Sequence, residues 1–320
     1  MSKRVFIVPY RNRIQHKFFF SQQMTFLLEG ETNYEIYFVH QTDSRTFNRG
    51  AMKNIGFLAM KKKYPDTYQD MTFIFNDVDT LPFHKLFDYQ TEAGVVKHYY
   101  GFESALGGIV VMKGADFEKV NGFPNFWGWG MEDACLQKRC LHVGLHIDRS
   151  NFYPIGSPEI LQLFDGVSRL VCSRDPARMK NDNGVDGLSS IHKLTFGFNK
   201  TSTNLADDQY TVDNQAFQYI NVLTFMTAVR FDSNTYHEYD LREPVSQVAY
   251  PDKSKEQVVK PDVVSTNSWK NIPFYPTVEE RNHAIQQYIK EQHQKKQQPV
   301  KRKPNTQAFA SVNIGLGGIR

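Results

Sequence analysis

Four short apolar runs recur within the first 112 residues, with amphipathic stretches between them. Arg4–Val8, Tyr34–His40, Met71–Phe75 and Gly108–Met112 read as strands. Arg13–Leu28 reads as a helix, with Phe18, Phe19, Met24, Phe26, Leu27 and Leu28 supplying apolar faces. Asn48–Lys63 reads as a second, with Met52, Ile55, Gly56, Ala59 and Met60 at helical spacing. Strand–helix alternation of this kind predicts a layered α/β fold. Such sheets place their ligand sites at the C-terminal ends of strands, so the residues that follow each run are the first place to look for chemistry.

Composition supports a packed core and excludes several alternatives. Hydrophobic residues make up 40% of the 320, which rules out a fully disordered, collagen-like or disulfide-framework chain. Three cysteines with no paired spacing point to a reducing compartment. No apolar run approaches the roughly 18 residues of a membrane helix, and Val5–Val8 is too short for a signal peptide. The expectation is a cytoplasmic protein with no membrane segment.

The net charge of +4 is unevenly placed: residues 251–320 hold 12 Lys/Arg against 6 Asp/Glu. The expected organisation is therefore a catalytic domain over 1–250 and a basic, partly helical or disordered extension over 251–320. A helix is expected from Thr277 to about His293. Glu291–Pro304 reads as a solvated tail, and no nucleic-acid-binding motif is visible.

Two strand ends and one tryptophan-rich segment carry the chemistry. Phe73-Ile74-Phe75 runs into Asn76-Asp77-Val78-Asp79. On an extended backbone Asp77 and Asp79 would face one spot, where a hard divalent cation would relieve their repulsion. Pro9-Tyr10-Arg11-Asn12-Arg13 crowds two arginines beyond the first strand, and Arg49 offers another; guanidinium groups pair bidentately with phosphate. Two of the three tryptophans fall in Phe126-Trp127-Gly128-Trp129-Gly130-Met131-Glu132-Asp133. This stretch reads either as a mobile aromatic platform for a sugar or as a loop anchored to the core. Glu132 and Asp133 then precede a helix over Ala134–Val143, with Cys135, Leu136, Cys140 and Leu141 on its apolar side. They serve either as helix-end acids or as a general base beside the platform.

In order and approximate spacing over residues 4–190 these segments resemble the β-1,4-galactosyltransferase family, glycosyltransferase family 7. The resemblance runs through Phe6–Arg13, Phe47–Phe57, Phe73–Pro82, Leu106–Gly108 and Asn121–Asp133, with a weaker echo at Asp186–Ser190. It implies a GT-A-type, Rossmann-like α/β fold with a mixed central sheet and helices on both faces. It implies a UDP-sugar donor, a glycan acceptor, Mn²⁺, and inversion by direct displacement. By position, Pro9, Arg11, Arg13, Phe47 and Arg49 would hold the uridine and diphosphate, with Asp77 and Val78 beside the nucleotide. Gly108 and Trp129 would line the donor, Asp79 would ligate the metal, Glu132 would position sugar hydroxyls, and Asp133 would deprotonate the acceptor.

Three departures from the family pattern matter. Ala134 and Cys135 follow the Glu-Asp pair where relatives continue with acids, which bears on the acceptor. Cys172 stands where the family has a metal-binding His, although His192 could serve instead. Ala105 replaces the Tyr that galactose-transferring members carry two residues before the Gly pair. A larger pocket at the donor's C2 position would admit UDP-GalNAc at least as well as UDP-Gal. Members with a Golgi anchor differ from this chain, so a microbial or viral enzyme is expected. The alternative reading is a GT-A protein that binds a nucleotide sugar or glycan without turnover.

Overall fold

The computed structural model describes residues 2–163, 169–172, 175–202, 214–229 and 236–239, with isolated positions 212, 231, 286 and 290. The proposed helix after Thr277 lies outside the described residues. The chain divides into units Met1–Pro251 and Asp252–Arg320.

In the first unit, β1 (Arg4–Tyr10), α1 (Ile14–Leu27), β2 (Tyr34–Gln41), α2 (Arg49–Lys63) and β3 (Thr72–Asn76) come first. They are followed by β4 (Thr80–Pro82), β5 (Val95–Gly101), β6 (Ile109–Lys113), α3 (Gly114–Lys119) and α4 (Glu132–His142). Then come β7 (His146–Asp148), β8 (Tyr153–Pro154), β9 (Ile160–Gln162), β10 (Arg169–Cys172) and α5 (Asp175–Asn181). A 3₁₀ turn at Leu188–Ser190 leads into β11 (His192–Asn199), β12 (Phe217–Met226) and β13 (Tyr236–Tyr239).

The main sheet runs β11-β12-β2-β1-β3-β6-β5-β7, with β8 also on β5. Its centre, β12-β2-β1-β3, is parallel, whereas β6 is antiparallel to both β3 and β5 and β11 is antiparallel to β12. Side-chain alternation along β1 sorts two cores. Val5 and Ile7 pack with Ile55, Phe57 and Met60 of α2, while Phe6, Val8 and Tyr10 pack with Phe20, Met24 and Leu27 of α1. Helices thus cover both faces, which is why the central strands read as continuous apolar runs.

β1 pairs with β3 only over Arg4–Ile7. Pro9, which has no N–H, lies beyond that ladder and costs it no bond. The chain ends of β1 and β3 therefore open side by side, and the arginines and aspartates project there.

Two helix faces differ from expectation. On α1, Phe19 and Phe26 are exposed while Phe20, Met24 and Leu27 fill the core. On α4, Leu141 is exposed, whereas Cys135, Leu136 and Cys140 are buried. Burial pushes both thiols up to about 12, so neither is a ready nucleophile. Among the described residues no helix is long and apolar enough to cross a membrane.

Candidate active site

The site is organised by the first residue of α2. Asn48 caps that helix, its side-chain oxygen accepting from the Ala51 N–H at 2.9 Å. Its amide also donates to the Asn125 carbonyl at 3.0 Å, which ties the helix start to the tryptophan segment. Arg49 then projects over the strand ends. Its Nε and Nη2 donate to the two oxygens of Asp77 at 2.9 and 2.6 Å. Its Nη1 reaches Glu132 at 2.8 Å and both oxygens of Asp133 at 2.7 and 2.8 Å. One guanidinium thus gathers the acidic strand end and the start of α4.

The Asp-Val-Asp stretch is a turn, not an extension of β3. The Thr80 N–H closes it on the Asp77 carbonyl at 3.2 Å, and Asn76 holds the carbonyls of Asp77 and Thr80 at 2.8 and 2.9 Å. This corrects the expected i, i+2 geometry. Asp77 turns to Arg49, while Asp79 meets Arg13 at 3.1 Å; Val78 is buried between them.

The two acids have opposite electrostatics. Burial works against the charge on Asp77, but Arg49 and then Lys53 outweigh it and hold its carboxyl down at about 2. Asp79 is pushed up, first by burial and then by Asp77, and Arg13 offsets only part. The surroundings of Asp79 thus offset its charge only in part, and a hard cation would supply the rest. Among the described residues no group of three His, Cys, Asp or Glu forms a metal cluster. Cys172 ends β10, but its side chain lies outside the described residues. His192 is exposed, and its Nδ1 lies 3.0 Å from the Ser190 carbonyl.

Asp133 is set by the glycine pair beneath it. The Leu106 N–H donates to the Asp133 carbonyl at 3.0 Å. A Cβ on Gly107 would stand 2.5 Å from Asp133 Oδ2. Gly108 has φ +66°, and a Cβ there would stand 2.4 Å from the Tyr100 carbonyl oxygen. His98 fixes the same loop from behind. Its Nδ1 accepts from Arg149 at 3.0 Å, so Nε2 carries the proton between the Tyr100 and Gly107 carbonyls at 3.0 and 3.1 Å. Ala105, just before this pair, is half-buried.

The two tryptophans divide the roles that the sequence left open. Trp127 is buried, stacks on Phe225 at 5.6 Å, lies under the Arg45 guanidinium at 4.6 Å and donates to the Val229 carbonyl. Trp129 is 45% exposed, two residues before Met131 and three before Glu132. Arg178 of α5 binds the carbonyls of Trp127 and Gly130, so the segment between them is held at both ends. The Asp186–Ser190 echo also has a structural role: Asp186 accepts from the Asn125 N–H and side-chain amide at 2.8 and 2.9 Å.

Of the other basic candidates, Arg11 turns away to the Arg45 carbonyl, and Phe47 is half-buried against the core. Lys53 was not singled out from sequence. It is fully buried, 3.4 Å from Asp77 Oδ1 and 3.6 Å from Asp133 Oδ1. Its i+4 spacing from Arg49 was the available signal.

A mixed sheet with a parallel centre, helices on both faces and an Asp-x-Asp turn at the strand ends defines a GT-A glycosyltransferase fold. The catalytic domain of Drosophila β-1,4-galactosyltransferase 7, solved with xylobiose, superposes with TM-score 0.58 at 23% identity, over 73% of this chain and 97% of that one. A family model for the N-terminal region of glycosyl transferase group 7 matches residues 1–92, and one for the N-terminal domain of galactosyltransferase matches residues 89–161. Mouse β-1,4-galactosyltransferase 1 is 32% identical over 160 residues, 47% of this chain and 39% of the relative. The xylosylprotein 4-beta-galactosyltransferase of Caenorhabditis elegans is 29% identical over 208 residues, 59% of this chain and 69% of the relative. The chain thus spans about two fifths of the mouse protein it matches. The chain belongs to the glycosyl transferase group 7 family.

Proposed function

We propose that this protein is an inverting glycosyltransferase that moves galactose or N-acetylgalactosamine from a UDP-sugar to a glycan hydroxyl. The observation that carries the reading is the Arg49 hub. It brings together Asp77, Glu132 and Asp133, the last two shortly after the exposed Trp129 in the chain, at the strand ends where this fold places ligands.

Asp133 is the proposed base: its side chain is 23% exposed, enough for an acceptor hydroxyl to reach it. It takes the hydroxyl proton as the oxygen attacks the anomeric carbon and the bond to UDP breaks. Glu132 orients sugar hydroxyls, and Trp129 offers an apolar face to the sugar. Arg13 and Arg49 are the proposed cations for a diphosphate, with Pro9, Phe47 and Val78 on the nucleotide side and Gly108 on the sugar side; Arg11 would join them on leaving the Arg45 carbonyl.

The Drosophila relative has been solved with manganese, UDP-Gal and xylobiose. In this chain Asp79 would hold such an ion, with Cys172 the proposed second ligand. A bound divalent ion would stabilise the charge developing on the leaving diphosphate. The small Ala105 side chain is the proposed basis for accepting UDP-GalNAc. Residues 1–250 are proposed as the catalytic domain and 251–320 as a basic extension, in line with the division into two units at Pro251.

The test is UDP release from UDP-Gal and UDP-GalNAc in competition, with Mn²⁺ and a glycan panel, for wild type, Asp79→Ala and Asp133→Asn. Transfer by wild type and loss in both variants is the expected result. Tight UDP binding without release from any donor would replace the enzyme reading with a binding role, and strong preference for UDP-Gal would remove the Ala105 argument.

A further inference from the structure

Lys53 is fully buried, and its ammonium makes no hydrogen bond of normal length and direction. It lies 3.4 Å from Asp77 Oδ1, 3.6 Å from Asp133 Oδ1 and 4.7 Å above the centre of the Phe123 ring. Asn54 holds the Phe123 backbone, donating to its carbonyl and accepting from its N–H at 2.7 and 2.9 Å, and the ring packs on Phe75 and Phe117. A buried ammonium is costly to fold around, and the two carboxylates with the nearby ring offset part of that cost. Packing alone would favour an apolar side chain here.

Arg49 explains what such a cation can do. In this state both Asp133 oxygens accept from Arg49 Nη1, so the carboxylate proposed as the base is covered by a guanidinium. Those contacts compete with an acceptor hydroxyl for the Asp133 oxygens, and a diphosphate is the competitor that would draw Arg49 away. That departure would leave Asp77, Glu132 and Asp133 facing one another with their main counter-charge gone. Lys53 is the cation that remains. It stands behind the two aspartates, out of reach of solvent, with N–H groups free to take up the contacts Arg49 gives up.

We propose that Lys53 is a positioning residue for the transfer reaction: it holds Asp77 and Asp133 in place as a standing counter-ion while Arg49 passes from the carboxylates to the donor. The proposal rests on the glycosyltransferase reading above. Lys53 touches neither donor nor acceptor, so its loss should lower the rate of the bound complex and leave donor binding unchanged. A misplacement of the base by about 1 Å costs on the order of 100-fold in rate.

The test uses the full chain as wild type, Lys53→Met and Lys53→Gln, with UDP affinity measured by calorimetry, thermal unfolding, and steady-state transfer from UDP-Gal and UDP-GalNAc. The expected result is a fall in kcat of about 10–100-fold in both variants, with donor KM and UDP affinity within about 3-fold of wild type. An unchanged kcat overturns the proposal, as does a parallel loss of kcat and UDP affinity, which would make Lys53 part of the donor site. Variants that both fail to fold overturn it in favour of a purely structural role. Wild type that turns over no donor overturns the enzyme reading itself, a result distinguishable from active wild type with equally active variants.

Discussion

Arg49 Nη1 donates to both carboxylate oxygens of Asp133, at 2.7 and 2.8 Å, while the other face of the same guanidinium holds Asp77. The proposed base is therefore placed by a residue 84 positions away. Asp133→Asn retains the shape but cannot take a proton. Transfer should fall by about 10²–10⁴-fold, with UDP affinity retained, as initial rates and calorimetry would show.

Asp79 contrasts with Asp77, because burial and Asp77 itself both disfavour its charge. Asp79→Asn should raise the melting temperature of the ligand-free protein and abolish the gain in UDP affinity produced by Mn²⁺. Thermal scans with and without Mn²⁺–UDP would read both effects. A variant that melts lower and still binds Mn²⁺–UDP would contradict the assignment.

The adjacent glycines should fail differently. A methyl group on Gly107 meets the end of the Asp133 side chain, which can move aside. Gly107→Ala should lower kcat with a small change in melting temperature. Gly108→Ala meets the Tyr100 backbone at a φ of +66° and should cost about 1–3 kcal/mol from backbone conformation alone. Denaturant titration beside steady-state kinetics separates the two.

Trp127 and Trp129 should separate in the same way. Trp127→Ala removes a buried ring and should destabilise the protein by about 3–5 kcal/mol. Trp129→Ala should leave unfolding almost unchanged and raise KM for donor or acceptor. Equal melting temperatures for the two variants would contradict the division.

His98 sets a pH dependence of stability. Burial and then Arg149 lower it from 6.5 to about 4 in the folded protein. Between those values the unfolded chain binds a proton that the native state does not, so stability is lost as pH falls from about 6.5 to about 4. The whole shift corresponds to about 3 kcal/mol. Urea midpoints across that window should show this slope in wild type, and His98→Gln should flatten it.

Much of this architecture is local and was legible in the chain. The strands of β1, β2, β3 and β6 and the helices α1 and α2 announce themselves because both faces of the central sheet are covered, which leaves continuous apolar runs. Arginine and aspartate at strand ends, and Glu132-Asp133 at a helix start, are likewise readable from position alone. Side-chain direction was not. Phenylalanines lie all round α1, so nothing local says that Phe20 faces the core and Phe19 the solvent. Trp127 and Trp129 are chemically identical and two residues apart, and only the packing of Phe225 and Arg45 against one of them decides which is buried. Asp77 and Asp79 part company because a turn replaces the extended backbone. The meeting of Arg49 and Lys53 with Asp77 and Asp133 exists only once α2 and α4 dock on the same sheet: Coulomb interactions within 4 Å depend on spatial approach, which separation along the chain does not specify.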